Sequence, residues 1–285
     1  MDFTLKTYQK LLENFLAKKY QFLPFALYIE QQLNNSTNQK QIILRHDVDR
    51  LPQNALQTAK LEYELGIKGT YYFRIVPQSY NIKIMQQIAK LGHEIGYHYE
   101  DLDLILKKNK SLKMKLFMGK YEASKSKILI SQLIDMAYES FCKNLEILRQ
   151  NSNIKTICMH GSPLSPLDNK LIWTKYDYKK LGIIGEPYLD TDWSNFEYYT
   201  DTGRRWNSNM SNVRDKVQSK NYVNVKSTKE LIKNIGLLSD KLMINIHPER
   251  WNDNYLKWVE NFLGQNLRNI IKIFFKHYNV IFYNK

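Results

Sequence analysis

Two cysteines in 285 residues, Cys142 and Cys158, fit no metal-binding spacing and set up no disulfide framework. Their scarcity suits a reducing compartment. No run approaches the roughly 20 apolar residues that a membrane span needs. The opening MDFTLKTYQKLLENFL carries Lys and Glu within an amphipathic pattern, where a secretory leader requires an unbroken apolar block. The expected location is therefore the cytoplasm, with no transmembrane segment. Glycine and proline, at 11 and 7 residues, nowhere gather with serine into a linker, and no segment repeats another, so a single domain over 1–285 is expected. Acidic residues number 28 against 42 basic ones, a formal charge of +14. The excess is mostly lysine scattered among Asn, Ile and Tyr, apart from a short basic stretch around Lys107 to Lys127. That pattern reads as a solvated surface, and no nucleic-acid partner is expected.

With 43% hydrophobic and 25% charged residues the composition is that of a globular protein. Helical spacing of apolar residues predicts one helix over Leu5 to Lys19 and another near Phe25 to Leu33, an N-terminal helical extension over 1–40. From Gln41 onward, β-branched or aromatic runs alternate with helical stretches: QIILRHD, a helix near Asn54 to Glu64, GTYYFRIV, a helix near Ile82 to Leu91, then HEIGYH. Further strands are expected at IKTICMH, GIIGEP, YVNVK, KLMINIH and NVIFY. Such alternation predicts an α/β fold of parallel strands joined by crossover helices. Residues 101–153 read as a helical insertion, either a lid or an enlarged crossover, with a long helix from Ala123 to Arg149. Residues 188–221, rich in Asp, Asn, Ser and aromatics, read as long loops over a site.

Four of the six histidines, His46, His98, His160 and His247, stand at the C-terminal ends of predicted strands. In barrel-like parallel folds that rim is where active sites are built. Asp47 and Asp49 are two apart at one such end, and adjacent ionised carboxylates repel unless a cation or a proton is shared between them. A divalent metal resolves the conflict; Asp49 also suits the N-cap of the following helix. GHEIGYHYEDLD adds His98, Glu100, Asp101 and Asp103, an imidazole and carboxylates of the kind that hold zinc or iron. His247, before a proline, is placed either to pass a proton to a leaving group or to orient an acid. His93, at a strand's beginning, reads as structural.

Taken in order, these segments resemble the polysaccharide deacetylase family, the NodB-type carbohydrate esterases, over roughly residues 41 to 250. The resemblance implies a distorted (β/α) barrel of about seven parallel strands holding a divalent metal, zinc first. ILRHDVDR is similar to that family's strand ending in TFDDG, which makes Asp47 the general base and Asp49 a metal ligand. GHEIGYHYEDLD resembles GHEIGNHTWSH, whose two histidines bind the metal; His98 takes the first position and Leu102 stands at the second. The remaining ligand is then expected from Glu100 or His160. CMHGSPLS falls where the family has Arg-Pro-Pro-Tyr, and LMINIHPERW resembles Leu-x-Ile-His, which makes His247 the general acid. LDTDW resembles the motif that shapes the substrate groove, through Asp192 and Trp193.

What the resemblance implies is removal of an acetyl group from an N-acetylated sugar, lipid-linked or nucleotide-linked, within a divergent branch tied to surface polysaccharide synthesis. Trp193, Trp206 and Tyr199 fall in the proposed loops, where they either stack on sugar rings or anchor the loops. Two alternatives stay open: a catalytically silent carbohydrate-binding or scaffold protein, which Leu102 favours, and a hydrolase of a non-sugar amide. Oligomeric state has no signature in the chain.

Overall fold

The computed structural model describes residues 1–32, 39–117, 123–162, 165–206, 215, 217–219 and 223–283. The chain runs α1 (Leu5–Ala17), β1 (Gln21–Leu23), α2 (Phe25–Gln32), β2 (Gln41–Val48), α3 (Pro52–Glu64), β3 (Thr70–Phe73), α4 (Ile82–Lys90) and β4 (Glu94–Tyr99). It continues through α5 (Asp101–Lys108), α6 (Lys110–Phe117), α7 (Ala123–Arg149), β5 (Ile157–Met159), α8 (Pro187–Asp190), β6 (Glu197–Thr200), α9 (Thr228–Asn234), β7 (Lys241–Ile246) and α10 (Tyr255–Tyr283).

Every strand pairing is parallel, and the order across the sheet is β5-β4-β3-β2-β7-β6. β2 is the axis, buried along its whole length. Its first half pairs with β1 and its second half with β3, so two short strands share one edge. The curled sheet with its outer helices is the expected distorted (β/α) barrel, left open between β5 and β6.

Strand alternation sorts side chains into an interior and an exterior set. On the outer side Ile42, Leu44, Leu242, Ile244 and Ile246 pack against α1 and α9, while α3, α4, α5 and α7 cover β3, β4 and β5. Inside, Ile43, Met243 and Tyr198 form an apolar floor with Phe25, Tyr28 and Ile29 of α2. The backbone N–H groups of Phe25 and Ala26 donate to Thr70 Oγ1 at 2.7 Å and Glu94 Oε2 at 2.8 Å, so α2 plugs the barrel by its N-terminus. Within residues 1–32, β1 joins the sheet and α2 plugs the barrel, where only a helical extension was expected. The 101–153 segment is the crossover from β4 to β5, with Leu102, Leu106, Leu133, Phe141 and Leu145 in its core.

Some elements differ from expectation. NVIFY lies inside α10 up to Tyr283, because nothing after Gly264 breaks the helix and β-branched residues alone do not make a strand without a free edge. GIIGEP makes only a single bridge, Thr156 with Gly185, beside β5. Of YVNVK, residue 222 lies outside the described residues, and 223–226 are not strand. β1 and β6 were not foreseen, since three or four residues carry too little alternation to register.

Candidate metal centre and active site

Above the apolar floor the interior turns polar. Arg45 and Asp47 are two apart on β2 and share its inner face. The wholly buried Arg45 guanidinium forks onto Asp47, Nε to Oδ1 at 2.8 Å and Nη2 to Oδ2 at 2.6 Å. Asn245 of β7 donates to Asp47 Oδ2 at 3.0 Å. Burial alone would push the Asp47 carboxyl up, but Arg45, and after it His98, hold it well below the usual carboxylate range. It is ionised, with its orientation fixed.

Asp49 stands just beyond the strand, where Leu51 in the left-handed region (φ 52°) turns the chain into α3. Its Oδ1 is buried without a hydrogen-bond partner, and lies 3.5 Å from His98 Nε2 and 3.6 Å from His160 Nε2. These separations are too long for good hydrogen bonds. They match the donor spacing of about 3.3 Å expected when oxygen and nitrogen ligands surround one ion at 2.0–2.1 Å. His98 Nδ1 sits 2.9 Å from the Cys158 carbonyl, and an N–H there leaves the Nε2 lone pair free. His160 Nδ1 faces Glu100 Oε2 at 3.4 Å.

Glu100 therefore lies behind His160. One of its oxygens takes Arg74 Nε at 2.7 Å, and the other lies 3.2 Å from Lys107 Nζ. Burial opposes its charge, yet His160 and then Arg74 hold its carboxyl low. This is the arrangement of a residue that orients a ligand. Leu102 is wholly buried in the core on α5, and His160, just past β5, faces Asp49 and His98.

Asp47, His98 and Cys158 also offer donor atoms within 4.8 Å of one another and could hold a cation. Asp49 with His98 and His160 is a second candidate set, in which two of the donor separations are 3.5 and 3.6 Å. In the Asp47, His98 and Cys158 set, burial pushes the Cys158 thiol well up, and both Asp47 oxygens already take N–H groups of Arg45.

Across the rim, His247 follows β7. Its backbone N–H and its Nδ1 both face Asp201, the latter at 2.6 Å from Oδ1. Arg250 Nη1 and Trp251 Nε1 each donate to the same carboxylate at 2.7 Å. Burial and Arg250 work against a charged imidazole, but Asp201 outweighs both and raises its pKa above the ordinary value. With Nδ1 turned to Asp201, Nε2 is the atom left for a substrate, and the His247 charge is felt at both Asp47 and Asp49.

The remaining expected residues lie elsewhere. His46 faces out of the barrel, stacked on Tyr71 at 3.9 Å and 2.7 Å from Glu62. Trp206 is a core residue, donating to Thr228 Oγ1 at 3.0 Å, and Tyr199 lies on β6 with its hydroxyl on Glu197 and the Val223 carbonyl. Neither is available to a sugar ring: Tyr199 is on a strand, one residue out of phase with the inward Tyr198 and Thr200. The exposed Asp192 accepts from Ser194 and Asn195 in its own turn, and Trp193 packs on Tyr198 with Nε1 on the Tyr188 carbonyl. Arg45, Arg74, Asp201 and Asn245 went unforeseen, although Arg45 and Asn245 each stand two residues before an expected site residue.

No protein-family model and no curated protein matches the sequence. Among solved structures, the chain is similar to the Xyl-CE4 domain of a multidomain xylanase from the hindgut metagenome of Trinervitermes trinervoides. The two share 16% identity over 81% of this chain and 84% of that one, with a TM-score of 0.34.

Proposed function

We propose that this chain is a metal-dependent hydrolase that removes the acetyl group from an N-acetylated sugar. The observation that carries the reading is Asp49 Oδ1, buried without a hydrogen bond and facing two imidazole nitrogens at 3.5 and 3.6 Å. Asp49, His98 and His160 would hold the ion, and a donor set of two nitrogens and one carboxylate favours zinc. A divalent ion there supplies Lewis acidity toward an acyl oxygen and makes bound water acidic near neutral pH.

The chain's own groups divide the proton traffic. Asp47, kept ionised by Arg45 and steadied by Asn245, accepts the proton of the attacking water. His247 holds a proton at Nε2, because Asp201 stabilises the imidazolium through Nδ1. As the C–N bond breaks, that proton goes to the departing nitrogen, since an unprotonated amine is a poor leaving group. Water adds to the carbonyl carbon, and acetate and an amino sugar leave.

We assign the saccharide to the cavity of about 710 Å³ lined by Arg50 and Glu249, chain neighbours of Asp49 and His247, which do not themselves line it. Gln53, Asn54, Asn252 and Asn261 line it with amides suited to hydroxyl groups. The substrate in this reading is a lipid-linked or nucleotide-linked precursor of a polysaccharide, met in the cytoplasm. The test is acetate release from N-acetylated sugars by zinc-loaded protein, with Asp47→Asn abolishing release while zinc stays bound. Folded, zinc-loaded protein that frees no acetate from any such sugar would overturn it.

A further inference from the structure

Helix α10 is packed the wrong way round for a helix that faces only water. Gln265 and Asn269 are 4% and 6% exposed, whereas Leu256, Leu263, Leu267 and Ile270 are 77%, 62%, 60% and 64% exposed. The polar side is tied to the domain: Asn269 donates to the Gly203 carbonyl at 2.9 Å and Asn261 to the Glu249 carbonyl at 2.9 Å, while Arg204 donates to Asn261 at 3.1 Å. At 3.6 residues per turn, residues 256, 263, 267, 270 and 271 fall within an arc of about 100°, opposite the hydrogen-bonded side. Glu260 is the one charge within that arc.

From this inverted helix we infer that the protein docks on an anionic lipid surface, with α10 lying in the headgroup layer and its leucine and isoleucine face turned to the acyl chains. Charge selects the occupant. Residues 255–285 hold five Lys or Arg against one acid, and the whole chain carries +14. A second copy of the same helix would bring like charges together, whereas an anionic bilayer neutralises them. Tyr255 and Phe262, 63% and 41% exposed near the start of the helix, are of the type that settles at a membrane interface. Among the described residues no helix is long and apolar enough to cross a membrane, so a helix parallel to the surface is the geometry that fits.

The same helix also borders the cavity assigned to the saccharide. Lys257, Asn261 and Arg268 on its other side line the cavity that begins at Arg50. A protein resting on α10 holds that cavity beside the headgroups, where a lipid-linked saccharide is presented. The docking itself does not depend on the hydrolase reading.

Co-sedimentation with vesicles tests it, using phosphatidylcholine alone and equal parts phosphatidylcholine and phosphatidylglycerol. The full chain is expected to sediment with the anionic vesicles, less so in high salt and little with phosphatidylcholine alone. The pair Leu263→Asp and Leu267→Asp should weaken binding by at least about ten-fold, given the apolar area lost from the bilayer. Leu237→Asp, at a site 68% exposed and away from α10, should leave binding unchanged. Circular dichroism verifies that the variants fold, which both sites allow because their side chains already face solvent. Failure to bind anionic vesicles, binding unaffected by the α10 substitutions, or a lipid-free dimer that those substitutions dissociate would overturn the inference.

Discussion

Nδ1 of His247 lies 2.6 Å from Oδ1 of Asp201, a carboxylate that also receives the His247 backbone N–H. The pair raises the histidine's folded pKa above its ordinary value of 6.5, against burial and Arg250. The sign of the linkage follows: the stabilisation from this pair is complete below about pH 6.5 and is lost as pH rises through the folded value. An acid in this position loses its proton over the same interval, so acetate release should fall on the alkaline side. Asp201→Asn is expected to move that alkaline limb to lower pH. A rate loss with the limb in place would mean that Asp201 only braces Arg250 and Trp251.

Two candidate ligand sets share His98 and separate cleanly. His160→Ala and Asp49→Ala should strip zinc from the protein, measured by elemental analysis after dialysis. Cys158→Ala should leave it bound if Asp49, His98 and His160 are the ligands, because Cys158 belongs only to the other set. The opposite pattern would move the centre to Asp47, His98 and Cys158. Glu100→Gln removes the carboxylate behind His160 and should weaken zinc affinity by about ten-fold, as loss of an orienting partner does.

Arg45 is wholly buried and Asp47 only 4% exposed, so neither charge tolerates loss of the other. Arg45→Met is expected to destabilise the fold by about 3–5 kcal/mol, the usual cost of leaving a buried charge alone. Denaturant unfolding measures this. Because the Asp47 carboxyl is held low, its contribution is present above its ordinary pKa and disappears as pH falls through the folded value. The loss should therefore shrink in acid, and an acid-independent difference would contradict the pairing.

How far these features could be read beforehand depended on their range. β2, β4 and β7 announce themselves through apolar and aromatic runs with His or Asp at or just past their ends, so Asp47, Asp49, His98 and His247 were legible as one rim. His160 and Glu100 were found as residues, but their order, one facing Asp49 and the other behind it, depends on how the β4 and β5 ends sit side by side. Asp201 was invisible because β6 has four residues and no periodic signal. The failures at Trp206 and Tyr199 have one cause: loop-like composition does not reveal which way an aromatic ring turns, and both rings complete the core under α1 and α9. Gly96, in the middle of HEIGYH, also had a hidden reason. A Cβ there would overlap the Tyr72 ring, whose hydroxyl is 3.0 Å from Thr156.

The outward histidine of the same strand supports a prediction about the N-terminal helix. Glu62 Oε1 takes Tyr8 Oη at 2.6 Å and lies 2.7 Å from His46 Nε2, while Oε2 takes Tyr71 Oη at 2.8 Å. All four side chains are buried, and Tyr8 is the member contributed by α1. Burial opposes the Glu62 charge, but His46 outweighs it and keeps the carboxyl below its ordinary value. A hydrogen bond to such a carboxylate contributes about 1.5–3 kcal/mol, and Tyr8→Phe removes one without changing the ring's packing. Unfolding should move to lower denaturant by that amount. Zinc affinity should stay the same, because the His46 ring points to the opposite side of β2 from Asp47. A Tyr8→Phe protein with normal stability and impaired zinc binding would show that this cluster acts on the metal centre instead of clamping α1 to the barrel.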